Sequence, residues 1–296
     1  LAKQYHYGGQ AVIEGVMIRG AKNMVTAVRK PDGEIVIDKQ PLATLYTGWM
    51  RSAPLIRGII VLIESLVFGM KTLSFSANVA LQEEGKKEEK LSGWWIFLAI
   101  AISMVFAVGI FFLTPLFLTN LMDIKTSLLF NLVEGIIRLA IFVLYIRLIT
   151  FMPDIKRVFS YHGAEHKAVN GFEADSVLEP EALKKYSKAH VRCGGSFLIA
   201  VMLIAIIVFS LVGKQTLWIM VLSRIILVPV IAGLGYEFIH FGANHADNMF
   251  MKILMTPGLW IQALTTREPD NEQLEVAITA LQAAVEADQE IAAPTV

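Results

Sequence analysis

The chain has 296 residues, of which 55% are hydrophobic and only 18% charged, with a mean hydropathy of +0.57 and a formal net charge of zero. A soluble domain of this length carries about a quarter charged residues, so the composition excludes an ordinary soluble fold and points to a polytopic membrane protein. With no basic excess, no nucleic-acid partner is expected, and a single cysteine, Cys193, leaves no internal disulfide.

The first residues lack the basic and then apolar run of a signal peptide, so the first membrane helix is expected to supply any targeting. Residues 1–53 read as a cytoplasmic β module. Gln10 to Ile18 and Met24 to Arg29 are short β-branched runs, and Pro31-Asp32-Gly33 turns the second into Glu34 to Lys39, giving one hairpin and a neighbouring strand. Glycines flank the first apolar run between Gly8 and Gly20, which predicts close backbone approach to another element. Residues 54–81 turn helical, with Arg57, Glu64 and Lys71 recurring on one face. That pattern predicts an amphipathic or membrane-packed helix whose charged stripe is solvated or ion-paired. Residues 82–92 form a charged linker.

Trp94-Trp95 then anchors a first span to about Leu118, and a second runs from about Leu128 to Phe151; together they make a hairpin over 93–151. Residues 196–243 hold a second hairpin, with spans from about Phe197 to Val212 and Leu217 to Phe241 joined by four residues. Residues 152–195 between the hairpins carry Lys156, Arg157, Lys167, Lys184, Lys185, Lys188 and Arg192. Lys86, Lys87 and Lys90 precede the first span, whereas the opposite loops hold only Lys125 and Lys214. This bias places the termini and the central loop in the cytoplasm, with the lipid bilayer of the cell membrane as the first partner. Residues 244–296 read as an interfacial segment and an acidic helix. Asp270-x-x-Gln273 resembles a capping box, and the stripe of Leu274, Ile278, Leu281 and Val285 should dock on the β module or a partner.

The central loop carries the most specific pattern, His162-x-x-Glu165-His166. On a helix, about 100° per residue puts the two histidines roughly 40° apart, with Glu165 about 60° to the other side of His162. Two imidazoles and a carboxylate then share a face, which suits a divalent metal, zinc by default, with Glu165 as general base. The competing reading is a polar juxtamembrane helix whose histidines only cap or pair. Asn170-Gly171 reads as the helix stop, and Gly163 weakens the helix. A third ligand is offered by Cys193 or His190, in His190-x-x-Cys193, or by Glu237 near the cytoplasmic end of the fourth span. His245 and Asp247 follow outside the membrane. Glu134 and Arg138 lie four apart in the second span and Arg224 in the fourth, at depths that let Glu134 and Arg224 pair.

Gly8 to Gly20, Tyr161 to Asn170, His190 to Ser196, Gly235-Tyr236-Glu237 and Ala263 to Pro269 together resemble the bacterial YqhQ-like family, over nearly the whole chain. That is a membrane family of unknown function labelled as a metal-dependent enzyme, and the resemblance implies a metal site at the His-x-x-Glu-His motif. In inverted zincins a glutamate far downstream completes the site, and Glu237 is similar in spacing, although two spans intervene and the fold must differ.

The expectation is therefore an α-helical polytopic membrane protein with about four transmembrane helices and a small N-terminal β module. Its first function is a metal-dependent hydrolase at the cytoplasmic membrane face. The alternative is a non-enzymatic insertion or assembly factor that docks on other membrane proteins or translocation machinery. A transporter comes third, because the spans lack paired broken helices and internal symmetry.

Overall fold

The computed structural model describes residues 7–43, 46, 48–80, 93–190, 192–213, 215–245 and 248–292; the linker 82–92, Lys214 and Asp247 lie outside them. Four strands, β1 (Gly8–Val12), β2 (Gly15–Arg19), β3 (Asn23–Arg29) and β4 (Ile35–Pro41), form an antiparallel meander in chain order. The sequence suggested one strand over Gln10 to Ile18; instead a two-residue turn at Ile13-Glu14 splits it, so that Gln10 pairs with Met17 and Ala11 with Val16. Glu14 takes the left-handed φ of 50° that the turn requires.

The helices are α1 (Ile56–Ala80), α2 (Gly93–Val108), α3 (Thr114–Asn120), α4 (Ser127–Ile149), α5 (Pro153–Glu173), the short α6 (Pro180–Leu183), α7 (Gly194–Val212), α8 (Leu217–Ile226), α9 (Val228–Asn244), α10 (Met249–Thr265) and α11 (Asn271–Ala292). Three stretches among the described residues are long and apolar enough to cross a membrane: Ile56–Ala80, Phe97–Asn120 and Gly194–Val212. The pair α8 and α9, bent by 48°, adds a fourth. Pro229 at the start of α9 cannot donate to the preceding turn, which accounts for the bend.

The sheet is the middle layer of a sandwich whose outer layers come from distant parts of the chain. On one face Val16, Ile18, Val25 and Ala27 pack against Tyr161, Ala164 and Ala168 of α5 and Leu274, Ala277, Ile278 and Leu281 of α11. On the other, Met17 and Met24 pack against Ile60 and Phe68 of α1, and Val12 and Val28 against Val79. Strand alternation sorts these side chains. The expected capping box starts α11: Gln273 N donates to Asp270 Oδ1 at 2.8 Å and Asp270 N to Gln273 Oε1 at 3.1 Å. Asp288 near its end accepts from Ala21 N and Lys22 N in the β2–β3 turn, which docks α11 on the β module.

Of the charged stripe of α1, Arg57 and Glu64 are ion-paired and Lys71 is exposed beside the Phe68 ring. Glu64 takes Arg19 Nε at 2.7 Å and Arg51, and Arg57 pairs with Glu237 on α9. In the bundle, α7 packs against α4, α9 and α10. Arg224 donates Nε to Glu134 Oε1 at 3.0 Å and pairs with Oε2, so the predicted contact forms. Arg138 joins it, with Nη2 2.5 Å from Glu134 Oε1 and Nε 3.0 Å from Phe111 O. Phe111 sits in a π-helical turn, Gly109–Leu113, between α2 and α3. Four residues on stands Pro115, which has no N–H to give to the Phe111 carbonyl, and Arg138 supplies a hydrogen.

A candidate metal centre

Helix α5 lies along β1 and is fixed at three levels. Both oxygens of Glu14 accept from Arg157, at 2.6 Å each, and Tyr161 OH donates to Oε2 at 3.2 Å. Further along, Gly9 N donates to Glu165 Oε1 at 3.0 Å; at the far end the Tyr7 and Phe172 rings meet edge-on. The close approach expected around Gly8 to Gly20 is real, since a Cβ on Gly9 would lie 1.8 Å from Met17 O.

Gly163 has the same explanation. A Cβ there would lie 2.0 Å from Arg267 O, where the link from α10 to α11 crosses α5, and Arg267 N donates to Phe159 O at 2.9 Å. The glycine that counts against a helix on propensity is therefore the residue that admits the crossing chain. Asn170-Gly171 does not end α5, which runs to Glu173. Asn170 Nδ2 donates to Ser187 O and Ala189 O, and Gly171 leaves room for Leu183, so both residues serve the returning loop.

These contacts shape the motif. His162 Nδ1 lies 2.9 Å from Thr265 O, the last residue of α10, and His166 Nδ1 lies 2.7 Å from Lys188 O. A carbonyl can only accept, so each Nδ1 carries the proton and each Nε2 presents a lone pair. His162 Nε2 is 3.3 Å from Cys193 Sγ, and the donor atoms of His162, His166 and Cys193 all lie within 4.8 Å of one another. Cys193 caps α7, its sulfur accepting from Gly195 N at 3.4 Å.

Burial sets the protonation. It holds the His162 imidazole below its ordinary value, helped by His166, and pulls His166 down to about 4. It pushes Cys193 up to about 12 and raises Glu165. Glu165 Oε2 is 3.4 Å from His166 Nε2, and with the imidazole held neutral the contact is not an ion pair. Glu165 is 4% exposed and His166 2%.

His190 stands one layer behind, its ring 5.9 Å from that of His166 and its Nε2 3.5 Å from Glu173 Oε2. Its backbone is gripped by Gln262 of α10, which accepts from His190 N at 2.9 Å and donates to His190 O at 2.8 Å. Glu237 is not brought to the histidines. Its Oε1 accepts from Leu55 N at 3.0 Å and Arg57 Nε at 2.7 Å, and Oε2 pairs with the same guanidinium. Glu134 and Arg224 belong to the bundle, and His245 lies exposed against Phe241. Sequence reasoning missed the groups that orient the ligands, Gly9 N, Lys188 O and Thr265 O. They are backbone atoms and leave no residue-type signal.

The model of a family described as "Protein of unknown function (DUF1385)" matches residues 53–287. The uncharacterized protein YqhQ of Bacillus subtilis (strain 168) is 37% identical over 289 residues, covering 92% of this chain and 90% of its own length, which bears out the resemblance read from the motifs. No solved structure gives a significant match.

Proposed function

This chain belongs to the DUF1385 family of proteins of unknown function, and from its geometry we propose that it is a metal-dependent hydrolase at the cytoplasmic face of the membrane. One observation carries this reading. Two imidazoles are locked by backbone carbonyls into the tautomer that leaves each Nε2 with its lone pair, and the donor atoms of both gather with a cysteine sulfur within 4.8 Å of one another. Carbonyl-held histidines of this kind are the usual support of a metal site.

The donor set fits the ion: two imidazoles and a thiol favour a borderline divalent cation, zinc above magnesium or calcium. Three protein ligands leave a position for water or substrate, and a bound ion would act there as a Lewis acid. The C-terminal carbonyl end of α10 at Thr265 adds favourable negative potential. Glu165, held by Gly9 N, would take or return a proton at Oε2. A nearby cation would lower its affinity for that proton and stabilise the Cys193 thiolate.

The burial of Glu165 and His166 favours a second reading. In it the ion is structural or absent, and the protein is an insertion or assembly factor contacting other membrane proteins or the translocation machinery. Metal analysis of purified protein after zinc supplementation separates them, together with complementation of a deletion strain. His162→Ala, His166→Ala and Cys193→Ala should each lose the metal, whereas Glu237→Gln should keep it. Glu165→Gln should keep the metal and fail to complement, because an amide cannot accept the proton. A metal-free wild type, or a Glu165→Gln that complements fully, would remove the enzyme reading.

A further inference from the structure

Helix α1 is apolar enough to be a membrane span, yet the packing of the rest of the chain argues against its crossing. The sandwich is built from the N-terminal sheet, α5 and α11, which touch one another and so lie on one side of the bilayer. Between α5 and α11 stand two candidate crossings, α7 and the bent α8–α9 pair. Between the sheet and α5 stand α1, the α2–α3 stretch and α4, and an even number of these must cross.

Helix α4 starts seven residues after the end of α3 and runs antiparallel to α3 and the π-helical turn before it. Phe130 packs with Leu116 near the connecting loop, and Phe142 and Tyr145 meet Phe111 further along. Helix α4 is not one of the four stretches apolar enough by composition, but its Glu134 and Arg138 are paired inside the bundle, and its 23 residues, about 35 Å, are long enough to return across the hydrocarbon. If α2–α3 crosses, α4 crosses back, and α1 is left over.

The surroundings of α1 agree. One side of it follows the sheet from Ile60 to Val79, with Thr72 Oγ1 accepting from Gln10 Nε2 at 2.8 Å. Were α1 transmembrane, the sheet with Arg19 and the charged β3–β4 turn would be drawn into lipid. Its opposite side exposes Ile56, Ile63, Leu66, Met70 and Leu73, a single stripe at helical spacing.

We infer that α1 is an in-plane anchor, lying in the headgroup–acyl boundary with this stripe against lipid and the sheet on its other side. Its start is seated on the bundle: a Cβ on Gly58 would lie 2.8 Å from Gly233 Cα of α9. The neighbouring Gly235 abuts Phe197 and Val201, three and seven residues into α7, or roughly 5 to 10 Å along it. In-plane helices settle at about this depth. The inference does not depend on the metal site.

Single cysteines at Asp32, Gly85 and Lys125 in the full-length protein test it, probed with a membrane-impermeant maleimide in intact and in detergent-opened cells. Asp32→Cys and Gly85→Cys should behave alike and opposite to Lys125→Cys, whichever side proves to be outside. Opposite behaviour of Asp32→Cys and Gly85→Cys would mean that α1 crosses, and would overturn the inference. Where a site resists labelling even in opened cells, depth decides, using an environment-sensitive dye on Ile56→Cys, Ile63→Cys, Met70→Cys or Leu73→Cys in a Cys193→Ala background. Equal quenching by a shallow lipid quencher supports the in-plane helix, and depths graded along α1 refute it.

Discussion

Glu14 shows how one side chain couples a turn to a site. It occupies a left-handed position where glycine would be easier, yet its carboxylate ties the β1–β2 turn to the first turns of α5. The Arg157 fork, with help from Tyr161, holds its carboxyl below the ordinary value. A depressed carboxylate contributes stability above the unfolded value, near 4.5, and loses it as the pH falls through the folded value. Arg157 is half exposed, so the contribution should not exceed about 1 kcal/mol. Glu14→Gln should therefore melt slightly lower than wild type at pH 7, and the two curves should converge as the pH falls through the depressed folded value of Glu14. Melting in detergent across that range checks it. Residue type, read at helical spacing, offered His162, Glu165 and His166 as a metal site, and Cys193 as one of several third ligands, beside the reading in which the histidines only cap or pair. It misplaced Glu237, since nothing in the chain shows that Arg57, far away in sequence, occupies both of its oxygens.

Among the elements, three of the four expected spans coincide with stretches apolar enough to cross a membrane, whereas the expected second span, α4, does not and Ile56–Ala80 does; α11 was legible by its capping box, and the breaks inside the apolar helices were not legible. The π-helical turn at Gly109–Leu113 and the bend before Pro229 flank a buried cluster in which one carboxylate serves two guanidiniums. The sequence gives the charges and their depth but not that Glu134 is shared. Sharing ranks the substitutions. Glu134→Gln strands two buried cations and should cost about 3 to 5 kcal/mol, whereas Arg224→Met leaves Glu134 paired with Arg138 and should cost less. The double variant, with a single stranded arginine, should melt above Glu134→Gln alone. Equal losses for the two single variants would show that Arg138 takes no part.

For the whole molecule, the three-layer sandwich could not be read from local patterns, because the two helices that cover one face of the N-terminal sheet, α5 and α11, come from the middle and last parts of the chain. The stripe of α11 announced a docking helix without its receptor. Leu274 and Leu281 are fully buried on the sheet, at about 1.5 to 3 kcal/mol each. A chain ending after Glu268 should still insert its spans, but its N-terminal sheet should become readily cleaved by protease added to opened membranes. An unchanged digestion pattern would show that α11 is dispensable to the module.

The crossing of the α10–α11 link over Gly163 also has a bearing on biosynthesis. His162, His166 and Cys193 emerge from the ribosome well before Thr265, and α7 to α10 must be in place before that carbonyl can turn the His162 ring. A half-made chain thus holds the donors without the frame that aims them. Under the metal reading, acquisition of the ion would coincide with the end of membrane insertion, and an unloaded site would mark a molecule whose translation or threading stopped short.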